Sequence, residues 1–336
     1  MTEDVLYVGS MEAKLLALDR ETGDTRWVFP AEKEPDLEGI YGTPAVTENL
    51  IYVGAYNGTL YAVDATTQRV LWDFPTDGHI VGSPVIAGDT VIFGSSDNTL
   101  YALDADRGIE KWRFQAQGGI WSTPVVYEDA VYLGSLDRNV YAVALNDTDD
   151  RRAGDLMWSF PTKGAVASTP LVTAGTVYIG SFDQRFYALD ASTGAEVWPA
   201  PFKASNWFWA RAESDGDTIY AASLDGNLYA LDADTGQPVW PSPFKTGGPI
   251  VSAPVLIPEG VAVASDDGSI YLVRLEDGRE IRSFTTKDHI RAPLAHSDSI
   301  IYFSGMDHLV RAADLKEGFW QEKWCYSTKK ESRGCQ

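Results

Sequence analysis

One run in the sequence differs from everything around it: Asn206, Trp207, Phe208, Trp209, Ala210, Arg211, Ala212 and Glu213. The sister segments read GSP, STP or SAP. Three aromatic rings and a guanidinium supply flat apolar area and a cation, the composition of binding hot spots rather than of proton-transfer chemistry. Arg211 is read here as replacing the proline of the sister segments, which frees a backbone donor and adds a charge, and Arg291 as standing at the equivalent of Ser252. The competing reading is repacking, with the rings compensating for lost neighbours. A second pattern is cationic. Five residues after each of eight recurring anchor positions the chain carries Glu32, Asp77, Gln117, Lys163, Lys203, Lys245, Lys287 and Lys329. Five of the eleven lysines thus share one sequence slot. Arg138 and Arg185, with His289 and His308, fall in turns expected at the same end of the units. Duplication of a solvated lysine explains this run as well as a basic arc for an anionic partner, or an acidic loop of one, does.

Catalytic chemistry finds no comparable support. Cys325 and Cys335 are ten residues apart, with no CxxC or Cys/His spacing, so no metal site is proposed. They can close a small disulfide loop in an oxidising compartment or stay free thiols in a reducing one. Asp232–Gly236 lacks the remaining ligands of a calcium loop and reads as a turn. Gly118-Gly119-Ile120 is followed by no Lys-Ser/Thr, so it is not a phosphate loop. The four histidines make no nucleophile–base motif. Net charge is −21, which repels phosphate backbones and argues against nucleic acid. The chain carries 31 aspartates against 17 glutamates, a bias that suits the turns of an all-β repeat and also a saline habitat. No apolar run is long enough to cross a membrane as a helix. The start, MTEDVLYVGS, shows no basic or apolar leader and reads straight into a strand.

The elements that must position these residues are repeats. ALDRETGDTRW (17–27) recurs as AVDATTQRVLW (62–72), ALDADRGIEKW (102–112), ALDASTGAEVW (188–198) and ALDADTGQPVW (230–240). A looped copy ends at Trp158, a degenerate one at Arg282 and the last at Trp324. The anchors are 40 to 46 residues apart, the length of one propeller blade. Each unit breaks into four short β-branched and aromatic runs separated by Gly, Asp, Asn, Ser and Thr. Four short antiparallel strands repeated at this period build an all-β, eight-bladed β-propeller. The innermost strand is missing from the first unit, which leaves 31 strands and an edge open to pairing. The expected organisation is one domain, 1–327, with blades at about 1–39, 40–78, 79–118, 119–164, 165–205, 206–248, 249–288 and 289–327, then a polar tail, 328–336.

The motif A-x-D-x-x-T-G-x-x-x-W resembles the tryptophan-docking motif of the quinoprotein-type (PQQ-like) repeat propellers, and it covers essentially the whole chain. That family includes PQQ-dependent dehydrogenases, BamB-type outer-membrane assembly lipoproteins and sensor domains. The resemblance implies structural tryptophans at 27, 72, 112, 158, 198, 240 and 324, buried between blades. The dehydrogenases of the family are longer, and the adjacent cysteine pair and calcium set of many are absent here. The leading expectation is therefore a non-catalytic scaffold with no cofactor, binding a protein partner in the BamB manner. The alternatives are a cofactor-binding relative of the PQQ dehydrogenases and a sensing domain of a larger receptor. The resemblance implies a periplasmic or other extracytoplasmic location, while the absence of a visible leader leaves the cytoplasm open. Oligomeric state is not legible. The aromatic run is expected to border the central channel on the face of the lysine arc, with Arg282 marking the weakest blade junction.

Overall fold

The computed structural model describes residues 2, 4–31, 35–286, 288–314 and 320–334. It contains only strands and turns, organised in two compact units, Met1–Pro170 and Leu171–Gln336, with four antiparallel sheets each. The fold is an eight-bladed β-propeller. In the first unit, blade 2 shows the regular pattern: Ala45–Val46, Leu50–Gly54, Thr59–Asp64 and Val70–Pro75, paired in that order. Blade 5 repeats it in the second unit with Leu171–Thr173, Thr176–Gly180, Arg185–Asp190 and Phe202–Lys203. Blade 1 has three strands, as the repeat count requires. Blade 8 departs from expectation by having five, because Ser332–Arg333, within the expected tail, pairs outside Gln321–Ser327. The described residues therefore hold 32 strands rather than 31.

The strands form where β-branched and aromatic residues bury, and the turns where Asp and Gly can close them. The two middle strands of each blade carry the core, and Leu50–Gly54, Thr90–Gly94 and Ala130–Gly134 are buried along their whole length. The repeat motif acts between blades. Trp72 donates its Nε1–H to the Ala105 carbonyl of the next blade at 3.0 Å, and Tyr52 adds its hydroxyl to the same oxygen at 3.1 Å. Trp198 and Tyr178 do the same at Ala233, at 2.8 and 3.1 Å. The Thr-Gly turn of the next blade lies under the indole. A Cβ on Gly236, which sits at φ +71°, would come within 2.6 Å of the Trp198 ring. Only glycine tolerates both that conformation and that approach. Trp158, Trp198, Trp240 and Trp324 are buried, while Trp27, Trp72 and Trp112 are half-buried. At blade 7, where Arg282 replaces the anchor, Trp320 packs onto Phe284 with ring centroids 5.6 Å apart. An indole from blade 8 thus lies at the junction that lost its own.

Candidate partner-binding site

Strand register decides which residues share a position. Val125 faces Tyr132 in blade 4, Leu171 faces Tyr178 in blade 5 and Glu213 faces Tyr220 in blade 6. Ala212 therefore occupies the position of Pro124 and Pro170, and Arg211 that of Thr123 and Thr169, which corrects the expected replacement of proline. Likewise Ala295 faces Tyr302 and Val255 faces Ala262. Arg291 thus corresponds to Val251 and Trp209, not to Ser252. The lysine slot is corrected as well. Thr162 and Thr246 are equivalent: each hydroxyl bonds the carbonyl of the 2–3 turn and that of the second residue beyond it. Lys163 follows such a threonine, whereas Lys245 precedes one. Lys203 faces Arg185 as Lys245 faces Asn227. Lys163 and Lys329 share one position and Lys203 and Lys245 another; Lys287 and Glu32 lie outside the described residues.

The corrected position of Arg211 is informative. In the first unit this slot holds a chain of hydroxyls. The Thr43 N–H donates to Ser83 Oγ at 2.8 Å, the Ser83 N–H to Thr123 Oγ1 at 3.0 Å and the Thr123 N–H to Thr169 Oγ1 at 3.4 Å. In the second unit the slot holds Arg211, Ala253 and Pro293, so no side chain there can continue such a chain. Arg211 is exposed, and its guanidinium has no partner among the described residues.

Beside it the aromatic run separates into two roles. Phe208 is fully buried in the core of blades 5 and 6, where a Cβ on Gly180 would meet its Cβ at 2.2 Å. It takes the place that Ile120 holds against Gly94, so it is a core residue and does not border a channel. Trp207 turns outward instead, and Trp209 is half-buried. Phe182, from the 2–3 turn of blade 5, stacks with Trp207 at 4.5 Å and 12° and with Trp209 at 5.4 Å and 18°. Trp207 is 43% exposed. Its backbone is fixed by the Leu224 N–H and the Ser223 hydroxyl, at 2.9 and 3.2 Å. Phe182 was not singled out from the sequence; its turn position, occupied by Ser96 and Leu136 in blades 3 and 4, was the available signal. The first unit has a smaller counterpart, with Tyr56 stacked on His79 at 3.8 Å and close to Tyr41 at 4.9 Å.

Electrostatics at these blade ends are uneven. The motif Ser-x-Asp-x-x-x-Tyr, which sequence reading passed over, recurs in blades 3 to 7. Its aspartate closes the 2–3 turn and accepts the tyrosine hydroxyl: Asp183 from Tyr187 at 2.5 Å, Asp225 from Tyr229 at 2.7 Å, Asp267 from Tyr271 at 2.7 Å. Asp225 also accepts the N–H groups of Ser205 and Asn227. Burial, then the aspartate, pushes the Tyr187, Tyr229 and Tyr271 hydroxyls upward. These carboxylates are fully engaged by the turns. Several cations are not: Lys203, Lys245, Arg138 and Arg211 are exposed, and their side chains have no partner among the described residues. Arg185 lies 4.0 Å from Asp183. Arg291 is held by both oxygens of Asp266, at 2.8 and 2.9 Å, which raises its already high pKa. Among the described residues no three His, Cys, Asp or Glu side chains converge as a metal site would require.

Comparisons with known proteins place this geometry in a family. A search of curated proteins finds no match. Among solved structures, the chain is similar to BamB from Moraxella catarrhalis, with a TM-score of 0.77 and 20% identity over 95% of this chain and 94% of that one. It is also similar to the computationally designed Ika8 protein, with a TM-score of 0.73 and 18% identity over 84% of this chain and 86% of that one. At such identities the likeness concerns the fold. The family described as outer membrane protein assembly factor BamB matches residues 12–152 and 183–331, and the chain belongs to that family.

Proposed function

We propose that this propeller is a non-catalytic scaffold that binds an acidic, partly apolar segment of a protein partner at the loop ends of blades 5 and 6. The observation that carries this reading is the pairing of a part-exposed stack, Phe182 with Trp207 and Trp209, with the unpartnered cations Arg211 and Lys203. The rings offer apolar faces, and the cations attract a carboxylate that the neighbouring aspartates cannot replace, since those are tied to their tyrosines. The family description supports a role in protein assembly and an extracytoplasmic location. Cys325, buried and disulfide-bonded, suits an oxidising compartment; the other cysteine, Cys335, lies outside the described residues.

Affinity capture from native lysate with the wild type, Trp207→Ala and Arg211→Ala tests the reading, alongside titration with PQQ and calcium. The expected result is a defined protein retained by the wild type and lost from both variants, with no quinone bound. Stoichiometric quinone binding with dye-linked alcohol oxidation would overturn it.

A further inference from the structure

The sequence holds two Asn-x-Ser/Thr triplets, Asn57-Gly58-Thr59 and Asn146-Asp147-Thr148. An asparagine in this context can accept a sugar where its amide and the hydroxyl of the third residue are within reach. The fold treats the two triplets differently.

Asn57 is committed to the turn between the second and third strands of blade 2, where it is half-buried. Its Nδ2 donates to the Asp36 carbonyl at 2.7 Å and to the Tyr61 hydroxyl at 2.8 Å. Its Oδ1 accepts the Thr59 N–H at 3.0 Å. Thr59 is itself in a strand, opposite Pro75. Both ends of this amide are in use, so a sugar on Nδ2 would break the turn.

Asn146 carries no such duty. In blade 2, residues 65–69 join Thr59–Asp64 to Val70–Pro75; in blade 4, residues 145–155 join Asn139–Ala144 to Leu156–Pro161. The backbone closes the neck of this longer connection. The Gly154 N–H donates to the Ala144 carbonyl at 2.8 Å, and the Ala144 N–H to the Asp155 carbonyl at 2.9 Å. Beyond the neck, residues 146–150 are all exposed. Among the described residues the Asn146 Nδ2 has one bond, at 3.3 Å to Oδ1 of Asp129, which is also exposed. The middle residue does not set a bare charge beside it. Asp147 turns its carboxylate into the loop, accepting the Ala153 N–H at 2.8 Å and Arg152 Nη1 at 3.2 Å. The Ala153 N–H holds that carboxyl below the usual carboxylate range. Thr148 is exposed, and its hydroxyl makes a long bond, 3.4 Å, to the Arg151 carbonyl.

We propose that Asn146 is an N-glycosylation site, modified by transfer of a sugar from a lipid-phosphate-linked donor. Nδ2 attacks the anomeric carbon of the donor sugar. The bond from Nδ2 to that carbon forms, and the bond from the carbon to the phosphate oxygen breaks. The lipid phosphate leaves with the bonding pair, and one amide proton passes to a base of the transferase. Thr148 supplies the hydroxyl that the triplet requires. The connection leaves blade 4 at the end opposite its turn Leu136–Arg138, so the sugar projects into solvent without covering that turn. Its bulk is solubilising, and it lies on the exposed tip of a loop, where a fold best tolerates added mass. The inference rests on the extracytoplasmic location supported by the family and by the disulfide-bonded Cys325. It does not depend on the partner site of blades 5 and 6.

The test uses the protein purified from its native host. Mass spectrometry with electron-transfer fragmentation reads the peptides that carry Asn146 and Asn57. The expected result is a sugar mass on Asn146 and none on Asn57. In the same host Asn146→Gln and Thr148→Ala should each lose the mass completely, and Thr148→Ser should keep it. All three variants should retain the wild-type circular dichroism, since both positions lie outside the strands. Alkylation of the denatured, unreduced chain reads Cys325 in parallel. An unmodified Asn146 beside a protected Cys325 would overturn this inference and leave the location standing. An unmodified Asn146 beside an alkylated Cys325 would overturn both. A mass that survives Thr148→Ala would also overturn it, because the transfer would not follow the triplet.

Discussion

The two units use one position of the same repeat in different ways. In the first, Thr43, Ser83, Thr123 and Thr169 join neighbouring blades through backbone-to-hydroxyl bonds. In the second, Arg211, Ala253 and Pro293 make no such bonds, and Arg211 points its charge to solvent. A position released from bonding between blades can change residue type with little effect on folding. That is where this chain carries its cation and, two residues before it, the stacked Trp209. What the units share should therefore govern stability, and where they differ should govern binding.

The largest expected effect comes from a shared feature under alkali. Tyr52 is pushed up to about 12, chiefly by burial and then by Asp106 and Asp104. Tyr101, Tyr187, Tyr229 and Tyr271 are raised as well, by burial and their aspartates. A raised folded-state pKa contributes stability below the unfolded value of about 10 that is lost as pH rises through the folded one. The chain should hold its midpoint up to about pH 10 and lose it steeply toward 12, with these buried phenols ionising only as the chain unfolds. Phenolate at Tyr187, Tyr229 or Tyr271 at about pH 10 in a folded chain, read by NMR of ring-labelled tyrosine, would contradict the clasp.

Next in size is Trp198→Ala, which removes a buried indole and its bond to Ala233. Urea unfolding should show a loss of about 3–5 kcal/mol. Gly236→Ala should cost about 1–3 kcal/mol, since it forces a left-handed backbone and a Cβ against the same ring. The units then separate. Thr123→Val should cost about 1 kcal/mol by leaving the Ser83 N–H without its acceptor. Arg211→Ala should stay within about 0.5 kcal/mol of wild type. Equal losses for these two variants would remove the contrast between the units.

The blade count, the three-stranded start and the docking tryptophans could be read from the sequence because the Ala-x-Asp to Trp repeat recurs along the chain, with five of its eight copies at the same ten-residue distance. The positions of Arg211 and of Lys203 and Lys245 could not. Pro199-Ala200 and Pro241-Ser242 lie between the anchor tryptophans and Phe202 and Phe244, and prolines interrupt the ladder there. The outermost strands shrink to Phe202–Lys203 and Phe244–Lys245, and counting from tryptophan stops two residues short. Phe208 was read with its aromatic neighbours because composition does not say which ring faces Gly180. The Asp–Tyr clasps were missed although they recur four residues apart, since aspartate in a turn suggests capping before it suggests a partner for a buried phenol. The fifth strand of blade 8 lies in a polar tail without the alternation that marks a strand.

A photo-crosslinking amino acid at position 207 tests the central claim most directly, with the same probe at exposed Leu71 as the reference. The account predicts one dominant protein adduct from position 207 in native lysate. That adduct should be absent from position 71, reduced by high salt and lost with Arg211→Ala at an unchanged thermal midpoint. An adduct of equal yield with Arg211→Ala, in a chain that melts several degrees early, would show that the arginine supports the fold and that the partner binds elsewhere.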